Sequence, residues 1–461
     1  MPHLIRTIGT ATRATGVDLV DVGPRRSPRR RSAMGASSMT QQTHEPEAHE
    51  PETYEPATYE PETYEPGPAT TTTSATTTAP PRTTLAPAPT APPFPPLAEL
   101  RPLGEHRVWP RTFHDRLTAP LPGLKALARF AREGAVRPGP GGLAGIPRLP
   151  CEPAPLPRVD TRTLAVTWVG HASWVVRIGG LTVLTDPVWS RRILGTPARI
   201  TPVGVPWDTL PRIDAVVISH NHYDHLDAPT LRRLPRDTPV FAPAGLGRWF
   251  RRRRFTHVTE LDWWEGAELH PRGGAAGASA DGGGGRRAGV RFDFVPAHHW
   301  SKRTLTDTCH SLWGGWVLTD ADGQRLYFAG DTGYGHWFSR IGRRYPGIDL
   351  ALMPIGAYDP RWWLKDVHCD PEEAVQATLD AGARRMAPMH WGTFVLSAEP
   401  VLEPLTRVRA AWEQAGLERD DLWDLPVGGS KALEWSAPEG ARGSARHTAA
   451  AARAREGAID R

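Results

Sequence analysis

Apolar and polar positions between residues 163 and 185 fall into short alternating runs, the period-two signature of strands with a buried face. Residues 164–168 predict one strand. Residues 174–178 and 181–185 predict a hairpin closed by Gly179-Gly180, a pair suited to a turn with positive φ at both central positions. Residues 213–219 are apolar almost throughout, as expected of a strand covered on both faces. Further strands are predicted at 290–296, 312–319, 326–329 and 350–354. Helical spacing occurs at 123–133, where Leu124, Leu127, Phe130 and Ala131 share one side and Lys125, Arg129 and Arg132 the other. Such a helix either caps a core or rests on an anionic membrane. Asp370-Pro371-Glu372-Glu373 opens another helix, with an N-cap carboxylate, proline at the first position and acids in the first turn; Gly382 is its stop. Residues 401–416 predict a further one.

The ends of the chain lack this periodicity. The first residues hold no apolar core of a secretory signal and lead to the basic run Arg25, Arg26, Arg29, Arg30 and Arg31, which a start at Met34 or Met39 would remove. A five-residue Glu-Pro repeat spans 43–67 and a Thr/Ala/Pro-rich stretch follows to Pro96; proline in each repeat and few aliphatic residues prevent a packed core. The expected organisation is a disordered tail at 1–98, one folded domain at 99–436 with a glycine-rich loop at 273–289, and a flexible tail at 437–461. No apolar run approaches the roughly 18 residues of a spanning helix. Three scattered cysteines exclude a disulfide framework and favour the cytoplasm. A net charge of +5 does not by itself indicate nucleic acid, and none is expected as a partner.

Chemistry concentrates in Ser219-His220-Asn221-His222-Tyr223-Asp224-His225-Leu226-Asp227, directly after the apolar strand. Three imidazoles and two carboxylates at one strand end are costly to desolvate without a cation, and H-x-H-x-D-H supplies ligands of the type zinc prefers. One cluster cannot fill two tetrahedral sites. A metal reading therefore predicts further ligands at other strand ends, and His299, Asp331 and His390 are the candidates.

With these residues the chain resembles the metallo-β-lactamase superfamily, and within it the N-acylphosphatidylethanolamine-hydrolysing phospholipase D family. The matching stretches include Trp168-Val-Gly-His-Ala172, Leu184-Thr-Asp-Pro187, Leu261-Asp-Trp-Trp-Glu265, Pro354-Ile-Gly-Ala-Tyr358 and His368-Cys-Asp-Pro-Glu-Glu373, with 218–227, 328–334 and 389–394. Two blocks narrow the choice within the superfamily: Trp300-Ser-Lys-Arg-Thr304 and Gly356-Ala-Tyr-Asp-Pro-Arg-Trp362. The resemblance covers about residues 109–434 and neither tail.

It implies an α/β fold, the αβ/βα four-layer sandwich, with metals at one edge of two mixed sheets. It also implies that His220, His222 and His299 hold one zinc, that Asp224, His225 and His390 hold the second, and that Asp331 bridges them; other divalent transition metals suit the same side chains. Paired zinc ions lower the pKa of a shared water, so the implied reaction is hydroxide attack on the phosphodiester of an N-acylphosphatidylethanolamine-like phospholipid. Beside Asp224, Tyr223 is a candidate donor to a phosphoryl oxygen and His368 a candidate for head-group orientation or proton transfer. Asp227, Asp186 and His171 are expected to orient ligand imidazoles. Arg303 or Lys302 faces the phosphate or a solvent ion pair. His298 competes with His299 as ligand, and Cys369 is read as packing. Among 18 tryptophans, Trp263, Trp264, Trp300, Trp313, Trp362, Trp363 and Trp391 either line an acyl groove or pack the core. The expected setting is cytoplasmic or peripheral on a membrane. The rival readings are a metallo-hydrolase of a soluble phosphodiester, nucleic acid or sugar-phosphate lactone, and a non-catalytic membrane or protein adaptor.

Overall fold

The computed structural model describes residues 100–133, 146, 148–160, 163–271 and 289–433, so both predicted tails and nearly all of the glycine-rich loop lie outside the described residues. Thirteen strands among the described residues form two mixed sheets. The first begins with β1 (Leu164–Gly170), β2 (Ser173–Ile178) and β3 (Leu181–Thr185), the predicted strand and hairpin. Gly179 and Gly180 turn it with φ of 54° and 79°. It continues in parallel through β4 (Ala215–Val217), β5 (Val240–Pro243) and β6 (Val258–Leu261), and β13 (Ser430–Leu433) pairs antiparallel with the outer edge of β1. The second sheet is antiparallel from β7 (Gly266–Leu269) through β8 (Val290–Val295), β9 (Gly315–Asp320) and β10 (Arg325–Phe328). It then turns parallel through β11 (Leu350–Pro354) and β12 (Met386–Met389).

Period-two alternation sends the sides of the first sheet to different cores. Leu164, Val166 and Trp168 of β1, Trp174 and Val176 of β2 and Phe241 of β5 join the core shared with the second sheet. Val175, Leu184, Val216 and Val240 face outward into a separate cluster with Leu231 of α2 (Ala228–Leu231) and Phe250 of α3 (Gly247–Arg251). Phe241 and Phe292 stack across the two sheets with centroids 4.1 Å apart. The second sheet is covered by α4 (Trp337–Arg344), α6 (Pro371–Asp380) and α7 (Glu403–Gln414), which send Phe338, Ile341, Val375, Val408 and Trp412 into the shared core. The start of α6 is as the sequence predicts: the Asp370 carboxylate accepts the Glu373 N–H at 2.9 Å and the Glu373 carboxylate accepts the Asp370 N–H at 3.2 Å.

Two predicted strands are shortened. Residues 213–219 contribute only Ala215–Val217, because the Ser219 N–H leaves the ladder for the Asp186 carboxylate at 2.7 Å. Residues 312–314 also fall outside β9, with the Leu312 N–H given to Ala244 O and the Gly314 N–H to Ser219 O. The predicted helix at 123–133 is α1 (Leu124–Glu133), and its Phe130 stacks on Trp363 at 4.8 Å, just after Pro360 at the start of α5 (Arg361–Leu364).

Strand direction decides where function can lie. β1, β3 and β4 run the same way in the first sheet, as do β8, β10 and β12 in the second. The segments after these strands carry His171, Asp186, the 219–227 loop, His299, Asp331 and His390.

Candidate metal centre

Each candidate side chain is delivered by a short departure from a strand end. His171, Asp186 and His390 adopt positive φ values of 57°, 31° and 64°, an uncommon region for residues with a Cβ. Backbone strain of this kind gathers at functional sites. Gly330, with φ of 64°, brings the Asp331 loop against the 219–227 loop: a Cβ there would lie 2.6 Å from Ser219 Cβ and 2.9 Å from Gly314 O. The indole of Trp168 donates to His171 O at 2.8 Å, and Thr393 Oγ1 accepts the His171 N–H at 2.7 Å.

Two groups of donor atoms result. In one, His222 Nδ1 lies 2.8 Å from His220 Nε2 and 3.2 Å from His299 Nε2, with Asp331 Oδ2 3.8 and 3.9 Å from those two nitrogens. In the other, His225 Nε2 and His390 Nε2 are 3.3 Å apart, and Asp224 Oδ2 is 3.4 and 3.5 Å from them. Asp331 reaches this group too, through Oδ2 to His225 at 3.1 Å and Oδ1 to His390 at 3.0 Å. The structure thus brings together all seven residues that the sequence nominates as ligands.

The remaining hydrogen bonds fix which nitrogens carry lone pairs. Asp186 Oδ2 accepts from His225 Nδ1 at 2.7 Å and from the Ser219 hydroxyl. That hydroxyl has a single proton, so it accepts from His220 Nδ1 at 2.9 Å and leaves Nε2 bare. His299 Nδ1 donates to Val367 O at 3.0 Å, which bares its Nε2 as well. Two bare nitrogens therefore face His222 Nδ1, and one proton cannot serve both. A divalent cation satisfies all three, so the donor set fits a metal.

The electrostatics agree. Burial pushes His220 and His299 well below the usual imidazole range and His222 down to about 4, keeping them neutral as ligands must be. Burial opposes charge on His225 and His390 too, but Asp331 and Asp224 outweigh it and raise His225 well above its ordinary value and His390 to about 9. Asp224 and Asp331 are held well below the carboxylate range against the effect of burial, chiefly by His225. This side of the centre attracts positive charge.

The other candidates separate. His368 joins Asp331 and His390, and burial lowers it to about 4. It lines a groove of about 450 Å³ whose floor includes His222 and His299 and whose walls are Leu117–Pro122, Trp300, Lys302, Trp362 and Trp363. Tyr223 lies outside that groove, in a second cleft with Asn221, beneath the Arg303 guanidinium at 4.1 Å. Lys302 faces the groove; Arg303 donates to Asn221 O at 3.0 Å. His298 turns to His336 and Trp337 instead of the cluster. Asp186 meets the expectation of an orienting carboxylate and His171 contacts Asp224 at 2.9 Å, but Asp227 does not hold an imidazole: it caps α2 and takes the Ser190 hydroxyl at 2.7 Å. Of the seven tryptophans, Trp300, Trp362 and Trp363 line the groove, whereas Trp263, Trp313 and Trp391 are buried in the core and Trp264 packs on Trp337. Cys369 is buried in the core. Sequence reasoning missed the wall at 117–122, which carries no chemical motif, and Ser219, whose place beside three histidines was a signal for it.

The family description that matches is the beta-lactamase superfamily domain, over residues 182–391. An uncharacterized protein of Mycobacterium tuberculosis is 39% identical over 281 residues, covering 57% of this chain and 69% of that protein. The N-acyl-phosphatidylethanolamine-hydrolyzing phospholipase D 1 of Caenorhabditis elegans is 36% identical over 275 residues, covering 57% of this chain and 72% of that one. A solved metallo hydrolase from the archaeon Ignicoccus hospitalis superposes with a TM-score of 0.42 at 24% identity, over 59% of this chain and all of that one. The chain belongs to the metal-dependent hydrolases of the β-lactamase superfamily, within the N-acylphosphatidylethanolamine-hydrolysing phospholipase D family.

Proposed function

We propose that this protein is a phospholipase D type phosphodiesterase that cleaves N-acylphosphatidylethanolamine, or a closely related phospholipid, into phosphatidic acid and an N-acylethanolamine. His220, His222 and His299 would hold one divalent ion, Asp224, His225 and His390 a second, and Asp331 both; zinc is the first choice for this donor set. Bound there, such ions supply Lewis acidity toward water and toward phosphoryl oxygens. The chain's own residues supply position. Asp186 and Ser219 hold His225 and His220 in one tautomer, and Val367 O does the same for His299. Lys302 places a positive charge on the groove wall for the phosphate. His368, kept neutral by burial and with its Nδ1 buried without a hydrogen-bond partner, would orient the head group or relay a proton from water to the leaving alkoxide. The apolar wall of Leu117, Leu121, Trp362 and Trp363 suits an acyl chain.

The observation that carries this reading is Asp331, whose two oxygens stand between the two histidine groups at one end of that groove. No helix among the described residues is long and apolar enough to cross a membrane. Access to lipid is assigned to α1, which exposes Leu124 beside Lys125 and Arg129, so the enzyme would act peripherally from the cytoplasmic side. The test is elemental analysis of purified protein and of His222→Ala, with lipid hydrolysis followed by mass spectrometry. Two metals per chain with release of both products, lost in the variant, is the expected result. Two metals without lipid turnover would shift the substrate to a soluble phosphodiester or lactone, and absence of metal would remove the catalytic reading.

A further inference from the structure

On the far side of the 221–223 segment from the groove, Trp249 is flanked by two guanidinium groups. Arg253 Cζ lies 3.6 Å from its ring centroid and Arg303 Cζ 5.6 Å. Arg248 and Arg252 border the same cleft of about 550 Å³, which reaches Asn221, Tyr223, Thr304 and Asp307. Asp307 contributes the one carboxylate of the lining, and its Oδ1 is already taken by the N–H groups of Arg303 at 2.8 Å and Thr304 at 2.7 Å. Among the described residues none of these four arginines forms an ion pair, whereas neighbouring Arg251 reaches Glu260 at 3.2 Å. Four cations bordering one cleft around an indole and a phenol give it a positive potential that a bound anion would offset. Independently, the Asn221 side chain on the cleft wall is 4% exposed and its Oδ1 has no hydrogen-bond partner. Turning that amide presents its N–H groups instead.

We propose that this cleft is a second phosphate-binding site, separate from the metal centre, for a phosphomonoester or free phosphate dianion. Arg248, Arg252 and Arg253 come from α3 and the turn after it and Arg303 from a separate segment, a set of guanidinium donors that suits the several oxygens of a phosphate, and Trp249 and Tyr223 offer apolar faces to whatever the phosphate carries. The site touches the metal centre through the chain itself. Arg303 holds the Asn221 carbonyl at 3.0 Å, and His222 follows in sequence and faces the groove on the other side. An anion that anchors Arg303 therefore steadies the segment carrying His222 and Asp224.

The test is calorimetric titration of the metal-loaded full chain with inorganic phosphate. Binding at the metals is common to all variants. The second component should weaken at least about tenfold in Arg248→Gln/Arg253→Gln, with metal content unchanged. Arg340→Gln/Arg343→Gln removes equal charge from a different cleft and should leave it intact. Unchanged affinity in the first variant, or equal weakening in the second, overturns the site. Sedimentation with phosphatidylcholine vesicles, with and without phosphatidic acid, separates the sources. Loss of binding by the first variant only on vesicles with phosphatidic acid assigns a lipid headgroup; loss of inorganic phosphate alone assigns a soluble ligand. These readouts do not depend on which diester the metal centre cleaves.

Discussion

Arg291 and Asp293 lie on β8 with both side chains at 0% exposure, and they satisfy one another: Arg291 Nε is 2.8 and 2.7 Å from the two carboxylate oxygens, and Nη2 is 2.6 Å from Oδ1. Six residues beyond Asp293, past the end of the same strand, His299 points a bare nitrogen at His222 Nδ1 only 3.2 Å away. Both regions bury groups that water would otherwise solvate. In the first the compensating charge is on the chain, so the pair is structural. In the second, lone pairs and carboxylates converge on a point where, among the described residues, no lysine or arginine pairs with them, which is the arrangement expected of a ligand site.

The contrast is broken most directly at Asp331. Asp331→Ala should lower hydrolysis at least about 10³-fold, since it removes the carboxylate that stands between the two histidine groups, while far-UV circular dichroism stays native. Retained activity would mean that the two histidine groups work independently. Arg291→Met should do the reverse, costing roughly 3–5 kcal/mol in urea unfolding because buried Asp293 loses its bidentate partner and keeps only Tyr345 and the more distant Arg344, with turnover per folded molecule unchanged. Adding Asp293→Leu should return most of that loss; if the single variant costs less than about 1 kcal/mol, the pair is not the structural counterpart described. Chelation should then destabilise the protein without any mutation, by about 4 kcal/mol relative to metal at a thousand times its Kd, and zinc should restore the melting temperature.

Smaller effects sharpen the comparison. Asp186→Asn leaves every ligand in place but weakens the hold on His225 and Ser219, and metal affinity should fall about 10–100-fold by competition with a chromogenic chelator. Asp320, at the end of β9, is a third kind of buried carboxylate: it accepts the N–H groups of Asp322 and Gln324 at 2.9 Å, and burial raises its pKa to about 6. The folded state therefore binds a proton more tightly than the unfolded chain. This penalty is full above about pH 6 and disappears as pH falls through the ordinary value of 3.8. Asp320→Asn should stabilise the protein by about 2 kcal/mol at pH 7 and by nothing near pH 3.5; a pH-independent difference would assign the effect to packing.

Much of this is legible in the sequence. The H-x-H-x-D-H run after an apolar strand, the Gly179-Gly180 turn and the Asp370 cap are local signals, each set by one residue's chemistry acting on its near neighbours. Less legible were β12, which contains Pro388, and β13, an edge strand with half its residues exposed, because their pairing energy comes from partners far along the chain. Hydrophobicity alone makes β4 too long, since it does not reveal that Asp186 draws Ser219 out of the ladder.

The sequence by itself determined the candidate ligand types, the strand-end positions that bear them and the family to which the chain belongs. Only the tertiary structure decided which nitrogens face one another, that Asp331 stands between the two groups, that Asp227 caps a helix instead of holding a histidine, and that Tyr223 and His222 open onto different clefts. Hydrophobic patterning acts along a few residues. The direction in which a side chain leaves a strand end depends on hydrogen bonds to segments dozens or hundreds of residues away, such as His225 to Asp186 and His299 to Val367.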